Sequence, residues 1–83
     1  MTAREKIEER GLDEVVIFEN PSFDEAFIGV SDDDRAVYDF DKMVDCLSKD
    51  MTAEEAVEFI EYNTIRALPY VPKSPIILYR MED

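Results

Sequence analysis

Histidine and tryptophan are absent from this 83-residue chain, cysteine occurs once and glycine only twice. Without histidine, the commonest general base and the commonest metal ligand are missing. A lone Cys46 makes no internal disulfide, no Cys–His nucleophile pair and no structural zinc site. Its isolation fits a reducing, cytoplasmic setting. Gly11 and Gly29 stand 18 residues apart, so neither a dinucleotide fingerprint nor a phosphate-binding loop can be written. The longest uninterrupted apolar runs, residues 15–18 and 76–79, are four residues each, against the roughly 20 needed to span a bilayer. The first fourteen residues carry no apolar core of signal-peptide length. The chain reads as a non-enzyme, with no catalytic residue, cofactor or metal site expected.

What is abundant is negative charge. Asp and Glu total 21 against 9 Lys and Arg, a formal net charge of -12. The excess is regional. Residues 13–41 hold ten acids and a single base, Arg35, for a net -9. Residues 42–62 add -4, the first twelve are neutral and the last 21 are +1. Direct binding to nucleic acid or to an anionic membrane face needs a positive patch and is not expected. Hydrophobic residues are 46% of the chain, enough for a core, so disorder is not expected either. The length predicts one small domain over residues 1–83, of marginal stability unless it packs well or dimerises.

Local signals place the elements. Thr2 with Glu5 forms a capping box for a first helix over residues 2–10, and Gly11 fits its left-handed stop. The apolar run at 15–18 predicts a strand, broken by Asn20-Pro21-Ser22. Residues 26–30 predict a second strand, residues 31–34 a turn and residues 35–38 a third strand. From Phe40 the period becomes helical: Phe40, Met43, Val44 and Leu47 fall at i, i+3, i+4 and i+7, with Asp39 or Asp41 as cap. Cys46 lies beside that face and reads as a core residue. Thr52 with Glu55 forms another capping box, opening a third helix that is expected to end before Pro69. Residues 76–79 predict a last strand. The order α-β-β-β-α-α-β implies an α+β fold: one four-stranded, mostly antiparallel sheet with the helices packed on one face. Runs 15–18 and 76–79 are expected as central neighbours and 35–38 as an edge.

The stretch Asn63-Thr64-Ile65-Arg66-Ala67-Leu68-Pro69-Tyr70 resembles a group of small acidic hypothetical proteins of Firmicute bacteria and their phages or prophages. Phe18-Glu19-Asn20-Pro21-Ser22-Phe23, Ile28-Gly29-Val30, Tyr38-Asp39-Phe40 and Ala56-Val57-Glu58-Phe59-Ile60 share the likeness, which covers about residues 15 to 80. The resemblance implies a bacterial or phage source and a cytoplasmic location. It carries no activity and no site residue.

Four features invite a functional reading. Asp24, Glu25, Asp32, Asp33, Asp34, Asp39 and Asp41 form the candidate partner-binding surface. Carboxylates at strand or helix spacing approach the phosphate spacing of a nucleic-acid strand, so such a surface could occupy a basic groove on a host protein. The alternative is a solvated acidic rim that keeps the protein soluble. A calcium loop starting at Asp32 fails, because Ala36, Val37 and Met43 stand where an oxygen ligand, Gly and Glu are needed. The run Arg66 to Pro72 matches a polyproline II ligand pattern, but the prolines read better as a helix stop and a stiffened return. Tyr62, Asn63, Arg66 and Tyr70 gather at the helix end, either as a site for a small anion or as a tie to the Pro69–Pro75 loop. The function expected is a non-enzymatic protein-binding accessory factor of a phage or mobile element, acting through its acidic surface on a basic host-protein surface. The alternative is a structural or regulatory homodimer joined by a sheet edge or by exposed Phe23 and Phe27. A carboxylate-based Mg²⁺ enzyme is the least favoured.

Overall fold

The computed structural model describes residues 2–11, 14–19 and 22–81. Helix α1 (Ala3–Glu9) begins at a reciprocal capping box: Thr2 Oγ1 accepts from Glu5 N–H at 3.1 Å and Glu5 Oε1 accepts from Thr2 N–H at 3.0 Å. It stops where Gly11 takes φ +70°, which costs a residue without Cβ nothing. A short 3-10 turn (Asp24–Ala26) leads into strand β1 (Phe27–Val30). Residues 31–35 reverse the chain. Ser31 and Arg35 pair at 2.8 Å, Asp34 N–H donates to Ser31 C=O at 3.0 Å, and Asp34 takes the left-handed φ of +61° that Asp tolerates. Strand β2 (Ala36–Asp39) runs directly into α2 (Phe40–Leu47), whose first turn is capped by Asp39 through Lys42 N–H at 3.3 Å. The Thr52–Glu55 box then starts α3 (Ala53–Phe59). Strand β3 (Ile76–Leu78) follows. No helix among the described residues is long and apolar enough to cross a membrane.

The fold is α+β, but the sheet has three strands in the order β1-β2-β3 and is mixed. This corrects the expected four-stranded, mostly antiparallel sheet. β1 and β2 form the antiparallel hairpin, whereas β2 and β3 run parallel, Val37 opposite Ile76 and Asp39 opposite Leu78. A parallel partner requires a crossover, and the two helices supply it by carrying the chain back to its starting end. The strand expected at an edge, β2, is therefore the central one. Among the described residues the run 15–18 joins no strand pair. Phe18 N–H instead donates to the Tyr38 hydroxyl at 3.2 Å, and the Phe18 ring lies 4.7 Å from the Tyr38 ring. A continuous apolar run reports burial; here the burial is over the core rather than within a ladder.

The third helix also departs from expectation. Its α-helical winding ends at Phe59, widens to a π-turn over Ile60–Thr64 and tightens to a 3-10 segment, Ile65–Tyr70, that contains Pro69. The helix is thus rewound before the proline rather than terminated by it.

The core lies on one face of the sheet. Phe27, Ala36 and Tyr38 meet Ala3 and Ile7 of α1, Met43 of α2, and Ile60 beyond α3, with Val15, Phe23 and Ala26 closing the cluster. Phe23 and Phe27, expected at the surface, are only 3% and 8% exposed. Phe23 is held there in a left-handed backbone, φ +51°, a conformation costing a bulky residue about 1–2 kcal/mol. Its edge-on contact with Phe18, 5.6 Å between ring centres, shows the burial that offsets the cost.

Candidate functional site

The seven candidate acids separate by what their carboxylates do. Asp24 faces inward. Its Oδ1 accepts from Ala3 N–H at 3.0 Å and its Oδ2 from Ser22 Oγ at 3.1 Å, so it fastens the start of α1 to the turn before β1. Asp39 is 1% exposed. One of its oxygens caps α2, and Arg80 Nε lies 2.6 Å from the other, as an ion pair without hydrogen-bond alignment. These two acids are structural, and neither is part of an exposed belt.

The remaining five, Glu25, Asp32, Asp33, Asp34 and Asp41, are exposed. They do not make one stripe. Residues 32–34 sit at the tip of the β1–β2 hairpin. Glu25 precedes the opposite end of the hairpin, four strand residues or about 13 Å away. Asp41 stands in the first turn of α2, whereas Glu25 lies against that helix's other end, beside Cys46, Leu47 and Lys49. The regular phosphate-like spacing anticipated along strands and helices is thereby lost. Within the tip, Asp33 accepts a hydrogen bond from Ser31 Oγ and lies 3.9 Å from Arg35. The Ser31 hydroxyl chiefly, with Arg35 assisting, holds the Asp33 carboxyl below the usual Asp value. Asp33 therefore stays ionised at neutral pH, in a turn its own neighbours have ordered. No group of carboxylates and Cys able to hold a metal ion occurs among the described residues.

Among the described residues the polar cluster at the helix end does not tie the Pro69–Pro75 loop. Asn63 Nδ2 donates to Phe59 C=O, one turn back on its own segment, at 3.2 Å. The Arg66 guanidinium lies over the Tyr62 ring at 5.4 Å. Arg66 and Asn63 are exposed, and Tyr70 is 86% exposed. Neither Asn63 nor Arg66 hydrogen-bonds the Pro69–Pro75 loop among the described residues. The 3-10 winding through Tyr70 likewise excludes polyproline II across residues 65–70.

The loop is tied by a residue that sequence reasoning passed over. Arg35 Nε donates to Ser74 C=O at 2.8 Å, and its Nη2 lies 3.4 Å from Ser74 Oγ. The signal available was that Arg35 is the only base in residues 13–41. Cys46 is half-buried. Burial chiefly, and then the Glu25 charge, raise its thiol above the ordinary value, which disfavours the reactive thiolate.

A cleft of about 430 Å³ runs between α1 and the outer edge of β1, with Lys6 and Arg10 on one wall. Glu9 and Asp34 also line it, so it has no net sign, and Lys6 is placed over the Phe27 ring at 5.8 Å. No family model, curated protein or solved structure matches the chain.

Proposed function

We propose that this chain is a non-enzymatic protein-binding accessory factor, encoded by a phage or mobile element and acting in the cytoplasm, that engages a basic surface on a host protein. The observation that carries the reading is uncompensated charge. Among the described residues only Glu19, Asp33 and Asp39 lie within ion-pair distance of a base, and of all the described acids only Asp39 is buried. Most of the negative charge on the described residues is therefore outside the interior and without an ion-pair partner. Like charges on so small a body repel one another, and a basic surface relieves that repulsion while steering encounter.

The contact centres on Asp32, Asp33 and Asp34, which are exposed side by side at the tip of one hairpin, with Glu25 and Asp41 as outlying charges. Changing residues 32–34 to Lys should slow association at least tenfold and leave the fold intact, because the three side chains bury little. The test is capture of a partner from bacterial host lysate, followed by association kinetics at low and half-molar salt with both proteins. Binding should weaken steeply as salt screens the charges. Affinity that is unchanged in half-molar salt, or indifferent to the triple reversal, would reduce the acidic surface to a solubilising rim.

A further inference from the structure

Helix α3 leaves aromatic surface outside the core. Ala56 and, just past the helix end, Ile60 are buried, whereas Phe59 is half-buried and Tyr62 is 65% exposed. Neither ring, nor Met51 before the helix, belongs to the core cluster or to the side chains packed against it. These three line a hollow of about 390 Å³ together with Glu55, Glu58 and Asn63. Exposed Tyr, Phe and Met within a polar rim is the composition of an interaction site. Glu55, Glu58, Phe59 and Tyr62 fall at i, i+3, i+4 and i+7, so one side of the helix sets two carboxylates beside two rings. Among the described residues neither Glu55 nor Glu58 lies within ion-pair distance of a base. The capping box fixes Glu55, whose Oε1 accepts from Thr52 N–H at 3.0 Å, and keeps it ionised at neutral pH.

We infer that this aromatic hollow receives an arginine side chain from a protein partner. The inference rests on the reading of a basic partner and adds a contact apart from residues 32–34, none of which lines the hollow. Two independent features select the occupant. The carboxylates, on a chain of net charge -12, call for a cation. The rings favour a cation with a flat, weakly hydrated face, which is the guanidinium rather than the compact ammonium of lysine. Tyr62 already displays that preference: Arg66 of the same chain lies over its ring at 5.4 Å without lining the hollow. The one charge of Arg66 does not cancel the four acids of residues 54–61. An anionic side chain would meet Glu55 and Glu58 as like charges. An apolar one would strip water from both carboxylates and leave them unpaired. A guanidinium brings five donors to the carboxylates while its plane covers a ring.

The probe is N-acetyl-arginine amide, compared with its citrulline analogue, an uncharged isostere, and its lysine analogue. In NMR titrations of the whole chain at low salt, the arginine compound should shift the Phe59 and Tyr62 ring resonances saturably, with a dissociation constant of roughly 10 mM. The lysine compound should bind about threefold more weakly, and the citrulline compound should not saturate. Glu58→Gln and Tyr62→Leu, both at exposed positions, should each weaken arginine binding by about threefold while circular dichroism stays native. Should either variant unfold, the citrulline comparison on the unaltered chain decides the matter. The titration needs no partner. A hollow that fails to hold arginine leaves the contact at residues 32–34 standing, and a partner indifferent to the triple reversal leaves the arginine titration standing. Citrulline or lysine binding as tightly as arginine would overturn the inference. So would shifts confined to the hairpin tip, an unchanged affinity in a folded Glu58→Gln protein, or no saturation by roughly 100 mM arginine compound.

Discussion

The two faces of the sheet differ although they are built from alternate residues of the same strands. On β2, Ala36 and Tyr38 are wholly buried, while Val37 between them is half-exposed and outside the core. On β3, Ile77 packs against the core and its neighbours Ile76 and Leu78 do not. The apolar content of the two faces is similar; only one has helices laid over it. A hydrophobic side chain in a strand of this chain therefore does not by itself report stability. Its worth depends on which parity of the strand the helices cover, and a single-residue change of register would exchange the two sets.

The sharpest test of that difference is a pair of truncations. Tyr38→Ala should cost about 3–5 kcal/mol, because it empties the centre of the aromatic cluster formed with Phe18 and Phe27. Val37→Ala, one residue away, should cost less than about 1 kcal/mol in the monomer, since it removes side chain that water already reaches. Urea titration of both at low protein concentration compares the faces directly. Equal losses would mean that the second face is covered.

Smaller effects come from the polar groups at the ends of the open face. Arg80→Met strands the buried Asp39 carboxylate and should lower stability by about 1–3 kcal/mol, a loss that Asp39→Asn in the same chain should partly restore. Arg35→Met leaves the Ser74 carbonyl without its donor and should cost about 1 kcal/mol. The matched control is Arg66→Met, for which urea titration should read a change within about 0.5 kcal/mol, as at an exposed site with only an aromatic neighbour.

The smallest effect concerns the capping boxes. The Thr52 backbone N–H and then its hydroxyl hold the Glu55 carboxyl below its ordinary 4.5. A carboxyl lowered in the folded state contributes stability that is present above 4.5 and lost as pH falls through the folded value. Thr52→Ala removes the hydroxyl and costs about 1 kcal/mol of helix stability. In an NMR titration the Glu55 carboxyl should then move back toward 4.5, while Glu5, held by Thr2 at the other capping box, stays low.

Much of this protein is legible in the order of its residues. Both capping boxes, the Gly11 stop, the 31–34 turn, an acidic cap at Asp39 or Asp41 and the buried face of α2 are written in residues no more than seven apart. They are enforced by hydrogen bonds and packing within one or two turns of backbone, so sequence alone determined them. It also determined the surface charge, since so many carboxylates cannot be buried in 83 residues. The tertiary structure decided what depends on distant partners. It took residues 15–18 out of the sheet, set β3 parallel to β2 and made β2 central. It turned Asp24 and Asp39 inward, and it tied the Pro-rich loop with Arg35, 39 residues from Ser74, rather than with the nearer Arg66. An apolar run or a lone arginine states that it needs a partner but not which one. That choice is made only when the chain closes long loops and the competing pairings are weighed together in one packed core.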